Sequence, residues 1–281
     1  MDLPNDDIEG EAVVFGANTQ NTEYWRDLWR FRGLLSFLVW RDLVVRYKQT
    51  AVGLAWVFIK AVLNITVLTF LFGRIFKLET NGVPYSLIVI TGMILWQFFT
   101  TVISDAGNCL EANASLISKV YFPKIILPLN SLCLCLVDFF VQFTLVVAML
   151  LWYRVSFGLH MLAFPLFVLM TGMIGVSFGM IASSLSVKFR DIKHLIPFLL
   201  QLGMYASPVA YLTLVVPEKY KVIYALNPMV GAIDGFRWSL LGELSRPYWP
   251  GVAYSACFCF IIFYVATVVF RRAERGFVDV L

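Results

Sequence analysis

The distribution of apolar residues along the chain predicts six membrane-spanning helices. A helix needs about 20 consecutive apolar residues to cross the hydrocarbon core of a bilayer. Six stretches meet that need, and they cover residues 52–72, 84–104, 125–153, 162–187, 195–215 and 249–270. The third stretch is too long for one upright crossing and too short for two, so we expect one long or tilted helix there.

Residues 23–48 carry a different pattern, with apolar residues every three or four positions. The stripe consists of Tyr24, Leu28, Phe31, Leu35 and Leu38. This spacing predicts an amphipathic helix. Trp25, Arg26 and Trp29 are residue types that favour the lipid headgroup region, which indicates a helix lying along the membrane surface. An ordinary helix packed against the bundle would have the same periodicity.

The segment before the last span, residues 217–246, predicts a helical hairpin. Asn227 followed by Pro228 is typical of a helix start, with a side-chain cap and proline in the first turn. About 14 mostly apolar residues follow, and Asp234 and Arg237 are spaced to pair on one helix face. Such a helix is too short to span, so we expect a re-entrant or interfacial hairpin on the outer side, beside a protein-lined cavity.

Composition and charge support an all-α integral membrane protein. Of the 281 residues, 60% are hydrophobic and only 14% are charged, far fewer than the roughly 25% of soluble domains. Six crossings with both termini in the cytoplasm leave fourteen lysines and arginines inside and seven outside, as the positive-inside rule requires. Residues 1–22 form an acidic tail, residues 49–275 the transmembrane domain and residues 276–281 a cytoplasmic tail. This composition excludes nucleic-acid binding as a primary function.

The sequence offers no catalytic site of a familiar type. It contains no GxxxxGK[ST] phosphate loop, no HExxH motif and no GxSxG turn. Asp138 is the only acid deep inside a predicted span, and Gln142 follows one helical turn later. An intramembrane acid is either a functional group or a hydrogen-bonded packing residue, and the sequence leaves both interpretations open.

A ladder of small residues runs along the fourth predicted span at intervals of four. Its members are Thr171, Gly175, Gly179 and Ser183. Small side chains let helices approach closely in lipid. We expect packing within one subunit, with a subunit interface as the alternative.

Four sequence blocks give the chain a family resemblance. They are RDLVVRYKQT at 41–50 with GLAW at 53–56, NASLISKVYFP at 113–123, FRDI at 189–192 with SPVAY at 207–211, and LNP at 226–228 with FRW at 236–238. In this order they resemble the permease subunits of ABC exporters for O-antigen and related surface polysaccharides, over nearly the whole chain. One departure is Lys60-Ala61, where the family often has a polar residue followed by proline, so an expected kink is missing.

The resemblance implies a homodimer of six-span subunits in the bacterial inner membrane, driven by two separate ABC ATPase subunits. ATP and Mg²⁺ would bind to those partners, and this chain would hold no cofactor and act as a transport subunit without enzymatic activity. The family's coupling helix maps onto residues 108–122. The residues implied in ATPase coupling are Leu110, Asn113, Leu116, Ile117, Lys119, Tyr121, Phe122 and Pro123, with an apolar face formed by Leu110, Ile117 and Tyr121.

Export of a lipid-linked polysaccharide would need aromatic and polar groups along the path. The expected path residues are Trp96, Phe98, Phe99, Asp138, Gln142, Tyr205 and Tyr211. Arg41, Arg46 and Lys48 lie where a lipid pyrophosphate would sit, although topology alone also accounts for positive charge there. The hairpin would gate the exit through Asn227, Pro228, Asp234 and Arg237.

Two alternatives remain at this point. One is an exporter of the same fold for teichoic acid, capsule, a glycolipid or a drug. The other is a membrane enzyme or an assembly anchor that works without ATP.

Overall fold

The computed structural model describes residues 26, 28–48, 55–71, 80, 82–156, 158–187, 189 and 191–274. Within these ranges all regular elements are helices. The α-helices are α1 (Arg32–Lys48), α2 (Ala55–Leu68), α3 (Tyr85–Ala112), α4 (Ala114–Ile117), α5 (Ile126–Trp152), α6 (Phe164–Ser186), α7 (Ile192–Tyr205), α8 (Glu218–Tyr224), α9 (Pro228–Leu241) and α10 (Trp249–Glu274). Short 3₁₀ helices cover Leu159–Ala163, Thr213–Val215 and Gly242–Ser245. The protein is therefore an all-α membrane protein.

Four helical segments are long and apolar enough to cross a membrane. They are Tyr85–Ala112, Ile126–Trp152, Leu159–Ser186 and Trp249–Glu274, and each coincides with a predicted span. The stretch over 125–153 is one continuous helix, as expected. The first predicted span, 52–72, lies partly outside the described residues, and a shorter apolar helix covers Val62–Leu71.

The predicted span over 195–215 differs from the structure. Helix α7 ends at Tyr205, and its 14 residues extend about 21 Å at 1.5 Å per residue, less than the roughly 30 Å hydrocarbon core. Residues 206–212 then leave helical geometry, although Ser207, Val209 and Leu212 are buried. Hydropathy alone cannot detect this break, because the buried irregular segment is as apolar as a helix.

Helix α3 lies at the centre of the bundle and packs against α5 and α6. Small residues on α6 permit this approach: a Cβ atom added at Gly179 would lie 2.5 Å from the Cβ of Ala106 on α3, and one at Gly175 would lie 3.1 Å from Cγ1 of Val102. The ladder of small residues therefore packs within one subunit, which confirms the expected interpretation.

Helix α1 packs one apolar face against the bundle and exposes another. Leu38 is buried in the smaller of two hydrophobic clusters, and Leu28, Phe31 and Leu35 pack against that cluster, which confirms the predicted stripe for its described members. On the opposite face, Trp29, Phe37 and Trp40 are exposed, each by more than half of its surface. The helix is thus apolar on both sides, which suits a position between bundle and lipid.

Candidate functional site

Helices α2, α3 and α5 enclose a partly open cavity of about 260 Å³ that carries polar side chains at membrane depth; we call it the polar groove. Its polar wall consists of Asn64, Gln97, Thr101, Asp138 and Gln142. Apolar side chains, including Phe98 and Phe139, line the rest. The groove therefore combines hydrogen-bonding groups with aromatic surface in the apolar part of the chain.

The α3 wall of the groove belongs to a polar stripe along that helix. Gln97, Thr101, Asp105 and Asn108 follow one another at intervals of four, four and three residues, so they share one helix face. Gln97 and Asn108 are exposed and the other two are partly buried. Each of these side chains has a partner within the chain, namely Gln97 with Thr101, Asn108 with the Ser104 carbonyl and Asp105 with Arg46. Because amide and carboxylate groups can form further hydrogen bonds, this face suits water, a ligand or protein better than lipid tails.

At one end of the groove, Asp138 is bound by two residues of α1. Arg46 Nη1 donates to its Oδ2 atom at 2.5 Å, and the Tyr47 hydroxyl donates to its Oδ1 atom. Arg46 Nη2 also donates to Asp105 Oδ2 on α3, at 2.7 Å. One guanidinium group thus joins α1, α3 and α5, and Asp138 is an ion-paired groove residue.

These carboxylates keep Arg46 charged and Tyr47 neutral. Burial alone would lower the pKa of Arg46, but its hydrogen bond to Asp105 and the charges of Asp138 and Asp105 raise that pKa above its ordinary value. Burial and the hydrogen bond to Asp138 raise the pKa of the Tyr47 hydroxyl. Both residues therefore remain hydrogen-bond donors at physiological pH.

The expected headgroup residues divide into two sets. Arg41 binds Asp42 at 2.7 Å and Asn113 at 3.2 Å, and Arg46 binds the two carboxylates described above. Both arginines are thus engaged by protein: Arg41 binds its chain neighbour Asp42, while packing of α1 brings Arg46 within reach of Asp105 and Asp138. Arg26, Trp29 and Lys48 are exposed and suit a headgroup role, while Trp25 lies outside the described residues.

The aromatic residues expected along the path lie in different environments. Trp96, Phe98 and Phe99 are buried in the main hydrophobic cluster, and only Phe98 also lines the groove. Tyr205 is 66% exposed at the end of α7, and its carbonyl oxygen accepts a hydrogen bond from the Tyr211 hydroxyl. Packing against α5, α6 and α7 buries the α3 aromatics, so within this chain Trp96 and Phe99 do not face the groove.

The expected coupling segment has its apolar face turned inward. Residues 108–112 continue α3, and α4 adds one turn. Leu110, Ile117, Phe122 and Pro123 are buried and Leu116 is partly buried. Leu110 and Ile117 therefore cannot form an outward apolar face with Tyr121, because they complete the second hydrophobic cluster of this chain. The exposed residues of the segment are Asn108, Glu111, Ala112, Ser115, Ser118, Lys119, Val120 and Tyr121.

Polar contacts tie the coupling segment to three other helices. Arg41 of α1 donates to Asn113, and Lys193 of α7 pairs with Glu111. Lys124 donates through its backbone nitrogen to the Glu274 carboxylate, at 2.9 Å, and through Nζ to the Glu274 carbonyl, at 3.0 Å. Burial lowers the pKa of Lys124, and the charge of Glu274 opposes that shift. A force on this segment would therefore reach α1, α7 and α10 directly.

The outer hairpin is held by side chains that bind backbone carbonyls. Arg237 is fully buried and donates to the carbonyl oxygens of Val209 (2.7 Å), Tyr211 (2.9 Å) and Ile88 (2.9 Å). Asn227 Nδ2 donates to the Ala206 carbonyl at 3.0 Å. These contacts satisfy backbone carbonyls of the buried irregular segment, which is the condition for keeping such backbone within a membrane protein.

The structure bears on two predictions about the expected gate, its helix start and its ion pair. The predicted helix start is confirmed: Asn227 caps α9 by accepting from the Met229 backbone nitrogen at 3.0 Å, and Pro228 occupies the first turn. The expected Asp234–Arg237 pair is replaced by other contacts. Asp234 accepts from the Thr213 hydroxyl at 2.8 Å, while Arg237 extends toward the carbonyls, which offer more acceptors.

The sequence prediction missed several polar residues of the groove and stripe. They are Asn64, Gln97, Thr101, Asp105 and Asn108. The signal that could have found four of them is their spacing along α3, since polar residues on one face of an apolar helix indicate a solvated or protein-facing surface.

Comparison with known proteins agrees with the family resemblance of the sequence blocks. Residues 33–241 match the family described as ABC-2 type transporter. The chain is 27% identical over 256 residues to the O-antigen export system permease protein RfbA of Myxococcus xanthus, covering 90% of this chain and 97% of that protein. It is 26% identical over 250 residues to the protein of the same name from Klebsiella pneumoniae, covering 88% and 95%.

Proposed function

This chain belongs to the ABC-2 type transporter family, and we propose that it is the permease subunit of an exporter for O-antigen or a similar lipid-linked polysaccharide. Its similarity to two O-antigen export system permease proteins supports this cargo. The proposed site of action is the bacterial inner membrane, with both termini in the cytoplasm and six crossings, the fifth formed by α7 together with the buried irregular segment that follows it. The charge distribution along the sequence supports this orientation.

The observation that carries the proposal is the polar groove at membrane depth. Asn64, Gln97 and Gln142 each carry an amide that donates and accepts hydrogen bonds, and Thr101 adds a hydroxyl. Sugar hydroxyls are matching donors and acceptors, and the face of Phe98 suits the C–H surface of a sugar ring. A wall of this kind favours a hydrated, hydroxyl-rich polymer over an apolar drug.

Energy for transport would come from two ABC ATPase subunits that bind ATP and Mg²⁺. We propose that they dock on the exposed side of the segment from Ser115 to Tyr121. The contacts of Asn113, Glu111 and Lys124 with three neighbouring helices support this location, because they link the docking surface to the bundle. A second copy of the chain would close the open side of the polar groove and complete the conduit.

Deletion of the gene in its own bacterium tests the proposed cargo. We expect O-antigen to disappear from the cell surface and to accumulate as a lipid-linked precursor inside, and we expect the restored gene to reverse both effects. Unchanged surface O-antigen would contradict the proposal, and loss of a different surface glycan would reassign the cargo. Co-purification with the ATPase encoded nearby, and stimulation of its ATP hydrolysis by lipid-linked glycan, tests the subunit arrangement.

A further inference from the structure

The core-facing side of α1 changes from apolar to charged along its length. Leu38, Asp42 and Arg46 follow one another at intervals of four, so they share one face. Leu38 is packed in the hydrophobic cluster, whereas Asp42 accepts a hydrogen bond from Asn130 of α5 at 2.7 Å. Arg46 reaches the carboxylates beside the groove. The apolar half of α1 is thus packed on the bundle, and the charged half lies against the groove.

The charged half of α1 connects α3 and α5 beside one end of the groove. Arg46 bridges Asp105 on α3 and Asp138 on α5, and Tyr47 takes the second oxygen of Asp138. Both oxygens of the one carboxylate that lines the groove are therefore engaged by α1. A cargo group that binds Asp138 would therefore compete with these donors for the carboxylate charge.

We propose that Arg46 and Tyr47 form a latch that holds the cytoplasmic end of the polar groove closed at rest and releases when cargo enters. The role of the groove as the cargo path rests on the function proposed above. The latch joins α1, the α3 wall and the α5 wall. Its release would let α3 and α5 separate at this end while the leucine face of α1 stays packed.

Two features suit the latch to repeated opening. The side chains of Arg46, Asp105 and Asp138 are 34%, 31% and 18% exposed, so water can replace the broken contacts and the exchange is reversible. The chain also provides a mechanical link, since Arg41 on the same helix binds Asn113 beside the coupling segment. Movement of the coupling segment would therefore act on α1 at Arg41, which lies less than two helical turns from Arg46.

Removing the arginine should open the groove, because Asp105 and Asp138 would then face each other without a cation. Like charges held close together in a low dielectric repel each other strongly and attract water. Replacing Arg46 by lysine keeps the charge but not the fork of donors that reaches both carboxylates. We therefore expect a graded series from the native chain through Arg46→Lys to Arg46→Gln.

Thiol labelling in the groove tests the latch without knowledge of the cargo. Thr101→Cys is introduced into a chain whose five native cysteines are replaced by alanine or serine, and the purified protein in liposomes is treated with a charged, membrane-impermeant maleimide. We expect labelling about tenfold faster with Arg46→Gln, and less acceleration with Arg46→Lys or Tyr47→Phe. Arg32→Gln is the matched control. Arg32 lies on the same helix as Arg46, but its guanidinium group packs over the Trp29 ring. This substitution should leave the rate within twofold.

Equal labelling rates in all these variants would overturn the latch. If Arg46→Gln does not fold, Arg46→Lys and Tyr47→Phe decide the question, because each retains part of the network. Acceleration by Arg32→Gln to the same extent would also overturn it, since any loosening of α1 would then suffice.

A reversible cross-link tests whether α1 must move during transport. Asp42→Cys and Asn130→Cys, joined by a short reducible bifunctional thiol reagent, should stop export of O-antigen, and reduction should restore it. Each single-cysteine variant treated with the same reagent is the control. Continued export by the cross-linked protein would overturn the latch and leave the proposed function intact. Absence of O-antigen export by the native chain would instead contradict the proposed function, while the labelling series would still decide the latch.

Discussion

The guanidinium group of Arg237 lies in the space that a side chain at Gly92 would occupy. A Cβ atom added at Gly92 would lie 2.6 Å from Nη2 of Arg237 and 2.2 Å from the carbonyl oxygen of Val209. The missing side chain at residue 92 therefore makes room for the guanidinium group to reach the irregular segment after α7. Gly92, Arg237 and the irregular segment after α7 therefore depend on one another for their packing.

Gly92→Ala should destabilise the protein. The added methyl group must displace backbone at Val209 or the guanidinium group, so we expect a loss of about 1–3 kcal/mol in the free energy of unfolding. Thermal unfolding in detergent measures the effect. Gly33→Ala is the control, because a Cβ at that helical position meets nothing within 4 Å and should be neutral or slightly stabilising. Equal stability of both variants would contradict the close contact at Gly92.

Arg237→Met should weaken the outer hairpin. The substitution removes the Arg237 donor from the carbonyl oxygens of Val209 and Tyr211, and each unsatisfied buried group costs about 1–3 kcal/mol. We expect a lower unfolding temperature and less folded protein in membranes. Arg246→Met provides the comparison, since that arginine forms an exposed pair with Glu243 worth at most about 1 kcal/mol. The role of Arg237 would be refuted by similar behaviour of the two variants.

Charged substitutions on the two sides of the coupling segment should have opposite effects. Lys119→Glu together with Val120→Glu changes the exposed surface, so we expect normal thermal stability and loss of co-purification with the ATPase. Ile117→Glu places a carboxylate in the buried cluster and should cost more than about 2 kcal/mol of stability. If the surface variant still binds the ATPase, docking occurs elsewhere.

Gly179→Val should disrupt packing between α3 and α6. The first added atom would already lie 2.5 Å from the Cβ of Ala106, so we expect overpacking that costs about 1–3 kcal/mol. Gly107→Ala is the matched control at the same interface, because its Cβ would make an ordinary contact 3.6 Å from Ala182. Thermal unfolding of both variants in the same detergent is the measurement. A tolerated valine would show that the two helices can separate freely.

Gln97→Leu combined with Gln142→Leu should impair export without destabilising the chain. Both amides line the polar groove, and leucine removes their hydrogen bonds to a sugar polymer while keeping a similar volume. We expect at least a severalfold reduction in surface O-antigen with unchanged protein level and unfolding temperature. Leu199→Gln on the exposed face of α7 tests whether a polarity change outside the groove affects export. Full export by the double variant would exclude these amides from the path.

Part of the site was predictable because it depends on local sequence. The cap formed by Asn227 and Pro228 needs only neighbouring backbone, and the α1 stripe needs only helical spacing. The partners of Arg46, Asp138 and Arg237 were not predictable, because each lies at least 20 residues away along the chain. Long-range contacts of this kind exist only after the helices have packed.

Hydropathy and helical periodicity alone were enough to predict an all-α membrane protein with long spans and a packed apolar stripe on the first helix, because burial in lipid depends on the summed polarity of consecutive residues. Tertiary structure decided which apolar face of the coupling segment turns inward, where the fifth apolar stretch breaks, and which carboxylates hold Arg46. The physical reason is that an apolar or charged side chain can be satisfied by several environments, and only the packed helices determine which of them lies within reach.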